Sequence, residues 1–458
     1  MSKLSTQTEH KNYLAKVVKL GELRKHPSAD RLQIAFIDGQ NVITGLNAKT
    51  DDIYIYFPLE SRLNSEYLSW SNSYSKPELN ADKSIKGFFP SASRVKTAKL
   101  RGIFSEGYII PIQSIIDWLV SKKVKASIAD FEVGVEFSHY GDTFICDKYI
   151  NYDALRRAQN IENNSKNKKG KVKRESKLVD NQFRLHIDTA PLKKNLSSLN
   201  PDDFISISEK LHGTSGVFSK VLCKKTLNFY EKILKKLGVN IVDTHYDYLW
   251  SSRKVIKNCY ADKKSESFYD VNIWGLVAKE INPFLKDGMS FYVEIYGQLP
   301  NGKWIQKDFD YGTKTGQHDY AIYRITYTNP SGEVFEFTEQ QITLYCNKYN
   351  LKTVPYYYIG YAKDLVAPTK WLESKDDRDL DIWREELLND LIKKYTEMDC
   401  LLCVNKVPRE GIVVRKFNDY ADVYKLKSFR FIQKEADEAE AGEVDVETQE
   451  SITENKNV

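Results

Sequence analysis

Over the first third of the chain, apolar runs are short and closed by turn residues. Leu32-Gln33-Ile34-Ala35-Phe36-Ile37 meets Asp38-Gly39, Val42-Ile43-Thr44 meets Gly45, and Ile53-Tyr54-Ile55-Tyr56 follows. This pattern predicts strands joined by hairpins, hence a small β-barrel or sandwich within residues 1–150. From about residue 181 strand patterns mix with helical ones. Asp379 to Tyr395 sets Trp383, Leu387, Leu388, Leu391 and Ile392 at helical spacing, and Leu227 to Leu237 does likewise. Both stripes are expected to be core rather than site. The predicted class is α+β.

Strand parity separates polar walls from packed ones. In Phe204 to Lys210, Ile205 and Ile207 point one way while Ser206, Ser208 and Lys210 point the other. In Phe291 to Tyr296, Glu294 lies opposite Phe291, Val293 and Ile295. In Val423 to Lys427, Lys425 and Lys427 share the face that Tyr424 and Leu426 avoid. Three polar faces of this kind suit a cleft between sheets.

Those segments belong to a series of boxes in fixed order. Ser208-Glu209-Lys210-Leu211-His212-Gly213-Thr214 comes first, then Ser252-Arg253-Lys254, Tyr292-Val293-Glu294-Ile295-Tyr296-Gly297, Tyr320-Ala321-Ile322-Tyr323-Arg324-Ile325, Arg409-Glu410-Gly411-Ile412-Val413-Val414 and Asp422-Val423-Tyr424-Lys425-Leu426-Lys427. A lysine followed closely by glycine suits attack on a nucleotide phosphate. The amine is the nucleophile, and the glycine lets backbone come near. The ordered series resembles the motifs of covalent nucleotidyltransferases, which include DNA ligases, RNA ligases and mRNA capping enzymes. Histidine at position 212 resembles the RNA ligase branch.

The resemblance implies a nucleotidyltransferase (ATP-grasp-like ligase) domain of antiparallel sheets flanked by helices. It implies Lys210 as the residue that takes AMP from ATP, with Glu209, His212, Gly213, Arg253, Glu294, Tyr323, Glu410, Lys425 and Lys427 around the nucleotide. Lys425 and Lys427 would neutralise phosphate charge and disfavour the protonated Lys210 amine. Glu410 and Glu294 would hold Mg²⁺ or Mn²⁺, Arg253 a ribose or 5′-phosphate, and Tyr323 (or Tyr320) the adenine face. Arg324 departs from the family pattern, which has an acid there. The stretch between Arg324 and Arg409 carries no assignable motif.

The N-terminal third carries its own resemblance. His26-Pro27-Ser28-Ala29-Asp30-Arg31-Leu32, Val42-Ile43-Thr44-Gly45 and Lys99-Leu100-Arg101-Gly102-Ile103-Phe104-Ser105-Glu106-Gly107 are similar to tRNA-binding OB modules. This implies an OB-like β-barrel with Arg31, Lys99 and Arg101 as RNA contacts, to which the Ser252-Arg253-Lys254 box adds Lys254. An OB-like module ahead of the boxes, and no folded domain expected after Lys427, resembles RNA ligases of the Deinococcus and Naegleria type. The expected organisation is an OB-like domain over 1–150, a basic linker over 151–180, an adenylyltransferase domain over 181–432 and a disordered acidic tail over 433–458.

Composition narrows the setting. The formal net charge of +5 understates the basic character, because acidic residues gather in the tail. Lys166, Lys168, Lys169, Lys171, Lys173 and Arg174 make the linker basic. No apolar run reaches membrane-spanning length and Met1 to Lys11 is polar, so neither a membrane nor secretion is expected. Six scattered cysteines form no disulfide framework, which suits a reducing, intracellular setting. Cys400 and Cys403 are expected to be buried thiols rather than zinc ligands. The resulting expectation is an ATP-dependent ligase of RNA 5′-phosphate and 3′-OH ends, with no protein partner inferable. A GTP-dependent capping guanylyltransferase and a non-catalytic RNA-binding protein on a decayed ligase fold remain as alternatives.

Overall fold

The computed structural model describes residues 3–8, 10–149, 178–187, 189–253, 255–257, 271–366, 377–417 and 422–440. The basic linker, apart from residues 178–180, and the tail beyond Glu440 lie outside the described residues. The chain divides into two compact units. The first takes residues 1–153 with 196–198 and 432–437, and the second takes the remainder.

In the first unit, β1 (Ala15–Lys19), β2 (Leu32–Ile37), β3 (Gln40–Gly45), β4 (Ile53–Phe57), β5 (Tyr108–Pro111) and β6 (Glu136–Phe137) are the main strands, with α1 over Ile112–Ser121. β2 and β3 form the hairpin read from the sequence. Asp38 and Gly39 both take positive φ (47° and 75°), as a two-residue turn matched to strand twist requires. A four-stranded antiparallel sheet runs β5-β4-β1-β6. Its alternation buries both faces. Val17, Ile55, Phe57 and Ile110 pack with Ile115, Ile116, Trp118 and Leu119 of α1, while Val18, Tyr54, Tyr56 and Ile109 pack with Ala35, Ile37 and Val42 of the hairpin. Burial on both faces explains why Ile53 to Phe57 is apolar without a break.

Among the described residues the expected barrel is not closed. The strands of this unit pair into separate antiparallel sheets, and β2-β3 joins only Arg24–Lys25. Single bonds, such as Glu106 N–H to Asn41 O at 2.8 Å, span the gaps where a ladder would be needed.

The second unit contains β7 (Ala190–Pro191), β8 (Phe204–Lys210), β9 (Thr214–Lys224), α2 (Phe229–Lys236), β10 (Thr244–Ser251), α3 (Ile273–Ile281), β11 (Met289–Gly297), β12 (His318–Thr328), β13 (Val334–Glu336), α4 (Glu339–Tyr349), β14 (Tyr356–Tyr361), α5 (Asp377–Leu391), β15 (Gly411–Lys416) and β16 (Asp422–Lys427), and the division between the units falls within α6 (Phe429–Glu440). Two five-stranded sheets result, β7-β16-β15-β8-β14 and β10-β9-β11-β12-β13, antiparallel except for the β7–β16 pair. Only Leu211, His212 and Gly213 separate β8 in one sheet from β9 in the other. The apolar face of the second sheet (Phe218, Phe291, Val293, Ile295, Ile322, Ile325) packs on α3 through Ile273, Trp274, Val277 and Ile281.

Two expectations need correction. The Leu227–Leu237 stripe is not core, because α2 has no buried residue. The tail expected to be disordered from residue 433 begins inside α6. There Ser428 Oγ accepts from Phe431 N–H at 3.0 Å, and Phe429, Phe431 and Ala436 are buried. The α5 expectation matches, with Trp383, Leu387, Leu388 and Leu391 all buried.

Candidate active site

Three rows of side chains cross the first sheet on one face, fixed by register. Lys210 pairs with Gly411 and Gly411 with Lys427; Ser208 pairs with Val413 and Val413 with Lys425; Ser206 pairs with Arg415 and Arg415 with Val423. Rows two residues apart stand about 6.7 Å from each other. From the opposite sheet come Ser215, Glu294, Tyr323 and Arg324. All of these except Gly411 line a cavity of about 970 Å³, along with Arg184, His186 and Arg253.

The cationic end is tightly organised. Glu410 immediately precedes β15, so pairing of Lys210 with Gly411 brings its carboxylate to the lysine. Glu410 Oε1 lies 2.7 Å from Lys210 Nζ and 3.7 Å from Lys427 Nζ, with the glutamate side chain 2% exposed. Gly411 is obligatory here. Its φ is +150°, and a Cβ would sit 2.1 Å from Leu426 O. On the same two strands Glu209 turns to Arg409, with Nε 3.2 Å from Oε1 and both side chains buried. Burial pushes the Glu209 carboxyl up to about 8 against the opposing pull of Arg409. Arg409 also donates to Tyr395 O at 2.8 Å and lies over the Tyr357 ring.

The Lys210–Gly213 loop is held from below. His212 N–H donates to the Tyr311 hydroxyl at 2.7 Å, and its ring meets Phe309 and Phe431 edge-on, each at 4.8 Å. A Cβ on Gly213 would lie 2.2 Å from Ile295 O and 3.0 Å from Glu294 Cγ, so the crossover between sheets leaves no room for one.

On the second sheet Ser215 and Glu294 are direct cross-strand partners, and Ser215 Oγ donates to Glu294 Oε2 at 3.1 Å. β12 carries a bulge. Tyr292 pairs with Arg324 but Val293 with Ile322, which leaves Tyr323 as the extra residue. As a result Tyr323 and Arg324 both reach the cavity. Tyr320 and Ile322 stay in the core, which separates the two tyrosines the sequence offered. The Tyr323 hydroxyl pairs with His186 Nδ1 at 2.9 Å, and burial raises its pKa. Arg324, standing where an acid was expected, lies 4.4 Å from the Tyr292 ring. Its Nε donates to both Glu336 oxygens at 3.0 Å, so β13 supplies the missing negative charge. Glu339 Oε1 accepts from Ser206 Oγ at 2.7 Å beside Arg415.

Of the sequence candidates, Lys210, Glu209, Arg253, Glu294, Tyr323, Lys425 and Lys427 contribute to the lined surface. Glu410 touches Lys210 from outside it, while His212 and Gly213 shape the loop. Lys254 lies outside the described residues. Arg31, Lys99 and Arg101 are exposed in the first unit. Nearby, His26 is buried, with Nδ1 accepting from Ser28 N–H and Nε2 donating to Leu100 O at 3.0 Å. It ties two turns together and is no part of an exposed surface. Sequence reading missed Arg409, His186, Arg184 and Arg415. Arg409 was legible as the neighbour of Glu410, whereas the 183–187 segment has no periodic pattern.

Among the described residues no group of three or more His, Cys, Asp and Glu side chains converges. Glu410 Oε2 is buried without a hydrogen bond, and Glu294 is the box carboxylate on the facing sheet that lines the cavity. One or two carboxylates with water and phosphate oxygens fit Mg²⁺ or Mn²⁺; an all-protein cage does not. Cys400 and Cys403 are free thiols.

No family model and no curated protein matches the chain. Among solved structures it is similar to Naegleria gruberi RNA ligase. A glutamate-to-alanine variant with AMP and Mn shares 15% identity at a TM-score of 0.52 over 93% of this chain and 99% of that one. An apo variant gives 14% and 0.52, and a lysine-to-methionine variant with AMP and Mn gives 15% and 0.51, over the same shares. The likeness establishes a shared α+β fold.

Proposed function

We propose that the chain is an ATP-dependent RNA ligase. The observation that carries this reading is Lys210, whose amine ends a strand inside a nucleotide-sized cavity, against Glu410 and beside Lys427. The similar Naegleria structures, some of them with AMP and Mn, support the choice of nucleotide and metal.

Three transfers follow. The neutral Lys210 amine attacks the α-phosphorus, a P–N bond forms, pyrophosphate leaves, and the amine gives up a proton. An RNA 5′-phosphate oxygen then attacks the same phosphorus, and the P–N electrons return to Lys210 with a proton. Finally an RNA 3′-OH attacks the activated 5′-phosphate, a P–O bond forms, AMP leaves as the P–O bond to it breaks, and the hydroxyl gives up its proton to solvent. Lys425 and Lys427 stabilise charge on the transferring phosphoryl oxygens, and Arg253 grips a ribose or the RNA 5′-phosphate. Tyr323 and Val413, reaching in from facing sheets, enclose the base. Glu410 and Glu294 would hold Mg²⁺ or Mn²⁺, which neutralises phosphate charge. The first unit serves as an OB-like RNA-binding module through Arg31, Lys99 and Arg101, and repair of broken RNA is the fitting role.

Incubation with α-labelled ATP or GTP, then with 5′-phosphorylated RNA, tests the proposal. ATP should leave label on the protein, Lys210→Ala should abolish it, and added RNA should discharge it into a sealed product. Label retained from GTP alone would favour the capping alternative. Full labelling of Lys210→Ala would end the assignment.

A further inference from the structure

Residues 225–243 leave the second sheet as an excursion between β9 and β10. The strands pair down to Lys224 opposite Thr244, and Lys225 N–H closes the base by donating to Asp243 O at 2.7 Å. The excursion is built to hold a helix. Asn228 caps α2, and Glu231 bonds back to Asn228 N–H at 2.8 Å, so the helix is specified locally and not by packing. At 100° per residue, Phe229, Tyr230, Ile233, Leu234 and Leu237 fall within an arc of about 140°. None of them is covered. With Val239 and Val242 beyond the helix, they are between 40% and 77% exposed.

Lysines surround this apolar tip. Five of them (224, 225, 232, 235 and 236) stand against only Glu231 and Asp243. Those two acids are taken by Lys225 at 2.7 Å and Lys235 at 2.5 Å. Lys224, Lys232 and Lys236 have no ion pair among the described residues. Lys232, Lys235 and Lys236 also edge a groove of about 420 Å³ beside Phe229 and Ile233.

A contiguous exposed apolar patch of this kind marks an interaction site, and the charge collar selects the occupant. A second copy would bring lysine collar against lysine collar. RNA would satisfy the lysines but offers nothing to Ile233, Leu234, Leu237, Val239 and Val242. A protein groove takes a ridge, whereas here the apolar residues wrap a tip and no acid pattern fixes a register. An anionic lipid surface meets both features. Apolar side chains enter the acyl boundary while lysines stay level with the phosphates. We propose that α2 and the loop to Val242 form a surface anchor for anionic phospholipid membranes. This is independent of the catalytic reading, and it concerns lying on a membrane, not crossing one.

Vesicle flotation of the full-length protein tests this, with phosphatidylcholine alone and with roughly one-third phosphatidylserine. Three uncompensated lysines predict on the order of a hundredfold tighter partition onto the serine-containing vesicles. Salt at about 1 M, which shortens the screening length to a few ångströms, should remove that preference. Tyr230→Asp with Leu234→Asp should abolish flotation on both vesicles. Lys232→Gln with Lys236→Gln should cut the preference for phosphatidylserine to about fivefold, the share of the remaining Lys224, and leave binding to phosphatidylcholine unchanged. Unchanged thermal melting of both variants shows that the fold is intact, as expected for residues that are exposed. No flotation of the wild type overturns the proposal, as does flotation that the variants leave unchanged. So does a dimer, or binding to an RNA oligonucleotide, that the Tyr230→Asp, Leu234→Asp variant breaks while vesicle binding persists.

Discussion

Replacement of Glu410 by glutamine tests the charge arrangement at the lysine with little change of shape. Oε1 faces Lys210 Nζ at 2.7 Å and Lys427 Nζ at 3.7 Å, and the side chain is nearly inaccessible to water. At an effective dielectric constant of about 20, these attractions have ceilings of roughly 6 and 4 kcal/mol. Desolvation of the carboxylate offsets much of that, so the net loss expected in the fold is about 3 kcal/mol. The variant should therefore melt earlier yet still fold. The glutamine cannot supply the carboxylate charge that would hold Mg²⁺ or Mn²⁺ at the phosphates, and we expect single-turnover transfer of AMP from α-labelled ATP to slow on the order of a hundredfold. Urea melts and labelling in the same buffer separate the two effects. A cycle with Lys427→Met locates the loss. If the acid acts through Lys427, the paired change falls short of the sum of the single changes by roughly 1 kcal/mol or more. A folded Glu410→Gln protein that labels at the wild-type rate would refute the reasoning.

Three other outcomes are expected. Gly213→Ala forces a Cβ to within 2.2 Å of Ile295 O, so melting temperature and labelling should both fall; normal labelling would show that the crossover is looser than described. Tyr323→Leu should raise KM for ATP by about three- to tenfold, while Tyr323→Phe, which loses only the His186 bond, should change it far less. Glu209 has its folded pKa raised from 4.5 to about 8, so the folded state binds its proton more tightly than the unfolded chain. Its contribution is present in full below about pH 4.5 and is lost as pH rises towards 8, by a few kcal/mol at most. Melting temperature between pH 5 and 9 should fall more steeply for the wild type than for Glu209→Gln, and parallel profiles would contradict this.

Much of the site was legible because strand alternation is local. Ser206, Ser208 and Lys210 fall on one face wherever the strand lies in the fold, and the Lys425, Lys427 and Glu294 faces follow the same rule. What could not be read depends on partners distant in sequence. The β12 bulge that turns Tyr323 to the cavity exists only in its pairing with β11. Arg324 looked anomalous because Glu336, which neutralises it, lies on a neighbouring strand. The same limit explains α2. Its periodicity shows that one face is apolar, but only the fold shows that the residues of that face are exposed.

The two boxes that meet at the lysine also explain each other. Glu209-Lys210 ends β8, and Arg409-Glu410 leads into its neighbour, so the antiparallel register sets an acid–base dipeptide against a base–acid one. Alternation then separates the pairs. Lys210 meets Glu410 at the cavity, while Glu209 meets Arg409 in the interior. A slip of one residue would turn every side chain of β8 over, burying Lys210 and breaking both pairs at once. The interior pair contributes little net stability by itself, because desolvation consumes most of its attraction. Breaking it, however, would strand a buried charge, at a cost of roughly 3–5 kcal/mol. Its consequence for catalysis is therefore positional. Arg409 and Glu209 penalise every register except the one that leaves the Lys210 amine at the strand end, facing the cavity.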